Sequence, residues 1–139
     1  MSPDERDIKL TQHELQEIKD VYQSVMNLAA NGLFFRAGQV VGRGLAQRAE
    51  ARGGVYLAAA ADLLVEEGWV RSAELDREQA KVEGCIEVVK GGDRSCNMLR
   101  GVLAEIYARH YETKLFCHEV ECASSGAPKC TFQIRKGVL

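Results

Sequence analysis

CNMLRGVLAEIYARHYETKLFCHEVECASSGAPKCTFQI, residues 96–134, changes hydrophobic period once, and that change decides the fold. Leu99, Val102, Leu103, Ile106, Tyr107 and His110 recur at helical spacing, so the stretch opens as one amphipathic helix. From Leu115 to Cys122 and again from Cys130 to Arg135 it reads as strands joined by a polar turn. A helix followed by a hairpin, with more helices upstream, predicts an α+β domain: one four-stranded antiparallel sheet with helices packed on it.

The polar groups that interrupt this apolar pattern are Cys96, Glu119, Cys122 and Cys130. Folding the hairpin brings Glu119-x-x-Cys122 on one arm near Cys130 on the other, while Cys96 stands in the first turn of the helix. Three thiolates and a carboxylate form a soft-leaning four-coordinate shell of the kind zinc accepts. Exposed amides at the helix start would favour a thiolate at Cys96. The plainer alternatives are buried thiols or a hairpin disulfide, with Glu119 a solvated strand residue. Strand alternation gives Glu119 and Cys122 opposite parity, which makes His118 the rival fourth ligand. A bulge or an early strand end between positions 119 and 122 would restore Glu119.

Cys96 at the helix start, the Gly101-x-x-x-Glu105 step, Glu119-x-x-Cys122 and the ending Ser125-Gly126-x-Pro128-x-Cys130-x-Phe132 resemble the 4-vinyl reductase domain family. The resemblance covers roughly positions 33 to 135 and is most specific in the last third. It implies a fold similar to that of TRAPP vesicle-tethering subunits and kinship with sensor domains of phenol- and xylene-responsive activators. In the phenol-sensing members zinc is held by three cysteines and a glutamate, which the motif places on Cys96, Glu119, Cys122 and Cys130. The resemblance thus favours Glu119 over His118. It also implies a hydrophobic, aromatic or tetrapyrrole-like small molecule as ligand.

A chain of 139 residues suffices for one cored domain and is short for two. With a net charge of −2 and no concentrated basic patch, direct nucleic-acid binding is not expected. No apolar run reaches membrane-spanning length, and the acidic start MSPDERD is unlike a secretion signal, so a cytoplasmic protein without membrane association is expected. Five cysteines in that setting favour thiols and a metal over disulfides.

Upstream, residues 1–32 read as a helical extension and residues 33–139 as the domain proper. Thr11 caps a helix running to about Ala29, with Glu14 completing a capping box. Leu15, Ile18, Val21, Tyr22, Val25 and Met26 give it an apolar stripe that needs a partner, either the domain or a second subunit. Asn31-Gly32 ends it, and a second helix starts near Leu33. Gly38, Gly42 and Gly44 weaken that helix unless something approaches closely: a packed neighbour, or a ligand beside Val40, Val41 and Gly44. Gly53-Gly54 leads to a third, alanine-rich helix capped by Gly68. Val70 to Val89 reads as a hairpin whose second arm sets Lys81, Glu83, Cys85 and Glu87 on a wet face, although Cys85 is most simply a buried small hydrophobe. Asp93 or Ser95 caps the next helix, and Cys117, opposite in parity to Cys122, points to the core or a cavity.

No nucleophile with its base, no paired carboxylates and no phosphate-cradling glycine loop is present, and a three-cysteine, one-glutamate site leaves no open position for substrate. The preferred expectation is a zinc-stabilised binding or sensor domain, its cavity drawn from Val40, Gly44, Trp69, Leu103, Tyr107 and Cys117. A homodimer is expected. The rivals are an enzyme or accessory of tetrapyrrole metabolism and a TRAPP-like assembly subunit.

Overall fold

The computed structural model describes residues 5–89 and 95–136. Its elements are α1 (Gln12–Met26), α2 (Ala29–Arg52), α3 (Tyr56–Glu66), β1 (Ser72–Leu75), β2 (Gln79–Glu83), α4 (Asn97–Tyr111), β3 (Leu115–Glu121) and β4 (Cys130–Lys136). The strands form one antiparallel sheet of order β1-β2-β4-β3, so β4, last in sequence, pairs between β2 and β3. The α+β expectation holds.

The first helix begins as its sequence demands. The Thr11 hydroxyl accepts from the Glu14 amide at 3.0 Å, and the Glu14 carboxylate accepts from the Thr11 amide at 2.9 Å, satisfying two of the amides a helix start leaves free. Its end differs from expectation. The break falls at Asn27, with φ +54, and Asn31-Gly32 lies inside α2, which runs unbroken over 24 residues. Position 32 is therefore within a helix.

The orientation of α1 also differs. Its inward side chain is Lys19, 2 % exposed, while Ile18, Val21, Tyr22 and Val25 of the apolar stripe are 42–78 % exposed. The energetic reason lies at residue 87. The second hairpin strand stops at Glu83, because Gly84 takes φ +68 and turns the chain. Glu87, assigned by alternation to a wet face, is instead 1 % exposed, and the Lys19 ammonium pairs with it at 2.8 Å.

Glycines let α2 and α4 touch backbone to backbone. A Cβ at Gly38 would stand 1.9 Å from the Met98 carbonyl oxygen, and one at Gly101 would stand 2.1 Å from that of Phe35. Gly38 and Gly42 thus serve close helix packing. Gly101→Ala is expected to cost about 1–3 kcal/mol by overpacking, measured as a lower urea midpoint with an unchanged slope. An unchanged midpoint would mean that the two helices separate easily.

The core between sheet and helices contains Leu45, Leu64, Val82, Leu99, Leu103, Ile106, Tyr107 and Phe132, each at most 1 % exposed. Among the described residues no helix is long and apolar enough to cross a membrane.

Candidate metal centre

Cys96, Glu119, Cys122 and Cys130 meet at the junction of the last helix and the last hairpin, all buried, with one ligand atom from each within 4.8 Å of all the others. Three local features bring them together. Cys96 is the N-cap residue of α4 itself, with φ −85 and ψ 48; of the caps expected from sequence, Asp93 lies outside the described residues and Ser95 does not cap. Cys130 opens β4 opposite Val82. On β3 the register slips: Glu119 pairs with Phe132 and Glu121 with Thr131, leaving Val120 as the extra residue of a bulge.

The bulge settles the parity conflict. Leu115, Cys117 and Glu119 alternate inward up to it, and beyond it Cys122 turns inward as well. Cys117 consequently shares the buried side with Cys122 and does not oppose it. His118 faces solvent, away from the cluster.

The three sulfurs are thiols and no hairpin disulfide forms. The Cys96 sulfur lies 3.9 Å from that of Cys122 and 3.7 Å from that of Cys130, far beyond a disulfide bond of roughly 2.05 Å. The Ala123 amide donates to the Cys130 sulfur at 3.4 Å. Glu119 Oε2 is buried without a hydrogen-bond partner, which native interiors seldom tolerate.

Electrostatics at the cluster favour a cation. Burial first, and then the negative charge on Cys122, push the Glu119 carboxyl up to about 8. Thiol donation from Cys130 and Cys96 holds the Cys122 thiol well below its usual range. The same contacts raise the partners: Cys122 pushes the Cys130 thiol up to about 12 and raises Cys96 as well. The cluster alone therefore carries little more than one negative charge. A buried cation would let the other groups ionise, so this donor set could hold a metal ion.

A second group of polar residues, not picked out by sequence reading, fixes the cluster from behind. The Glu87 carboxylate accepts from the amides of Met98 at 3.0 Å and Leu99 at 2.7 Å, capping α4 from outside the helix. Lys19 Nζ also donates to the Ser95 carbonyl at 2.8 Å. The Ser95 hydroxyl donates to the Glu87 carbonyl at 2.9 Å and lies 2.7 Å from that of Ser124. Ser124 sits in the one-turn helix Ala123–Ser125 that follows Cys122. The only sequence signal for this network was the glycine at position 84, which ends the alternation that had placed Glu87 outside.

Of the candidate ligand residues, Leu103, Tyr107 and Cys117 share the central core and Trp69 packs against its edge. The Tyr107 hydroxyl donates to the Asp76 carbonyl at 2.6 Å, tying the helix to the β1–β2 turn. Val40 and Gly44 are not brought to this group: Val40 is 63 % exposed, and Gly44 has only the Arg48 guanidinium near its α-carbon.

An α+β domain with a buried three-cysteine, one-glutamate cluster is thus the class that fold and site define. The family model of the vinyl-4-reductase domain matches residues 79–136, from the start of β2 to the end of β4, and so takes in all four cluster residues except Cys96's neighbours upstream of β2. The resemblance to the 4-vinyl reductase family read from these motifs holds over that segment. No curated protein sequence matches the chain. Among solved structures, the phenol-responsive sensory domain of the transcription activator PoxR, determined with phenol, is similar with a TM-score of 0.80 at 20 % identity, over 95 % of this chain and 77 % of that one. A vinyl-4-reductase family protein from Methanocaldococcus jannaschii is similar with a TM-score of 0.66 at 16 % identity, over 97 % of this chain and 85 % of that one. At these identities the likeness establishes the shared fold.

Proposed function

We propose that this chain is a small-molecule binding or sensor domain whose last helix and hairpin are clamped by one zinc ion on Cys96, Glu119, Cys122 and Cys130. The observation that carries the metal is the spacing of the sulfurs. Around an ion bound to sulfur at roughly 2.3 Å, a tetrahedron has edges of about 3.8 Å, and the two sulfur separations are 3.9 and 3.7 Å. A four-ligand shell of this kind is closed, so the zinc role is structural. The unpaired Glu119 oxygen supplies the fourth vertex.

The small-molecule reading is supported by the fold shared with a phenol-responsive sensory domain, since a fold alone does not fix function. The ligand group is Leu103, Tyr107, Cys117 and Trp69. Hydrophobic contacts with one hydroxyl able to exchange its partner suit an aromatic guest. The protein acts in the cytoplasm, as a homodimer, and without turnover of its guest.

The test is native mass spectrometry of the purified chain, followed by titration with phenol and with protoporphyrin. The expected result is one zinc per chain and saturable quenching of Trp69, the only tryptophan, by one of the two probes. A metal-free, folded chain would remove the clamp. Zinc without binding of either probe would leave the clamp and remove the aromatic-ligand reading. Reduction of a vinyl tetrapyrrole by the purified chain would replace binding with catalysis.

A further inference from the structure

We propose that the outward face of α1, with the adjoining outward residues of α2, is the surface on which a second copy of this chain docks. The inference specifies the interface of the homodimer named above and is independent of what the domain binds.

The face is built for contact. Ile18, Val21, Val25 and Leu28 recur at intervals of three, four and three along α1 and its end, the spacing of a helix-pairing seam. Their exposures are 42, 62, 78 and 82 %, and Tyr22 beside them is 50 % exposed. Leu33 and Val40, seven residues apart on α2, are exposed as well, at 46 and 63 %. Side chains of this size on α1 and Leu28 alone present on the order of 600 Å² of apolar surface, the upper end of what a monomer shows. With the α2 residues the area approaches the ~800 Å² that each partner gives to a stable interface.

The outward orientation is held in place. An amphipathic helix docked on a domain normally turns its apolar stripe inward. Here α1 turns Lys19 inward, where removing an ammonium from water costs several kcal/mol unless it is fully paired. Glu87 and the Ser95 carbonyl provide that pairing. The core has therefore been fitted with a charged socket that holds this helix with its apolar stripe facing out.

Charge selects a second copy as the occupant. The α1 surface carries Glu17 and Asp20 beside the seam, whereas the outward face of α2 carries Arg36, which has no ion-pair partner among the described residues. Two copies related by a two-fold axis, with α1 seated against the partner's α1 and α2, would bring acid to base twice, since such an interface uses one patch on both subunits.

Sedimentation equilibrium with the zinc-replete full chain tests this. The wild type should be a dimer at micromolar concentration. Val21→Glu with Val25→Glu should weaken dimerisation at least a hundredfold while leaving zinc content and the circular dichroism spectrum unchanged, because both positions are solvent-exposed in the single chain. Arg36→Glu should weaken it about tenfold, and adding Glu17→Arg should restore part of the loss. A monomeric wild type, including one that instead binds lipid vesicles, would overturn the proposal. So would a double variant that remains a full dimer. Loss of zinc or of probe binding with dimerisation intact would count against the metal and ligand readings alone.

Discussion

Cys130→Ser is expected to empty the metal centre, from about one ion per chain to almost none, and to lower the stability of the zinc-replete protein by about 4 kcal/mol. The size follows from linkage. An ion that binds only the folded state contributes RT ln(1 + [L]/Kd), about 4.1 kcal/mol when free metal is a thousand times Kd. Cys130 is the decisive position because it is the sole ligand from β4; Cys96 comes from the start of α4, while Glu119 and Cys122 come from β3 and its end. Serine is nearly isosteric and keeps the hydrogen-bond acceptor offered to the Ala123 amide. After chelation, the variant and the wild type should then differ by less than about 1 kcal/mol, so the effect resides in the metal-bound comparison. Metal content by atomic emission and urea unfolding, with and without chelator, complete the cycle. Equal metal content in variant and wild type would show that the sulfurs cluster for another reason.

The site was more legible in the sequence than the surfaces around it. Residue types and spacing identify Cys96, Cys122 and Cys130, because three cysteines interrupting an apolar pattern have few uses. Glu119 was legible only through its motif, since alternation favoured His118 and the bulge at Val120 is set by pairing with β4, which no local pattern in β3 displays. The α+β class followed from a single change of period. Two things could not be read. One was which side of α1 faces the domain: periodicity finds a stripe but not what covers it, and the answer depended on a glutamate 68 residues away. The other was Glu87 itself. A carboxylate on an alternating segment reads as solvated, and only the φ +68 turn at Gly84 carries it into the interior. The glycines of α2 were correctly recognised as places of close approach, but choosing between a helix and a guest required the position of Met98.

Lys19→Met is expected to cost about 3–5 kcal/mol, because it leaves the Glu87 charge buried without its counter-ion. Both partners are inaccessible, with side-chain exposures of 2 and 0 %, so water cannot substitute without opening the structure. Methionine keeps most of the stem volume, which confines the loss to the charge and its hydrogen bonds. Glu87→Gln should also be costly, for two reasons. It removes the negative charge facing Lys19, and it exchanges one of the two oxygens accepting from the α4 amides for a donor. The double variant Lys19→Met/Glu87→Gln should be more stable than the sum of single losses predicts, with a coupling of about 1–3 kcal/mol. It should nevertheless fall short of the wild type, because the α4 start still lacks one acceptor. Amide hydrogen exchange locates the effect. Exchange through α1 should accelerate in Lys19→Met, and the first turn of α4 should follow in Glu87→Gln. Because that turn starts at Cys96, zinc should leave Glu87→Gln faster than wild type when challenged with chelator, with Lys19→Met between them. Additive losses and unchanged zinc release would show that the ion pair merely fills space under α1 and does not connect that helix to the metal centre.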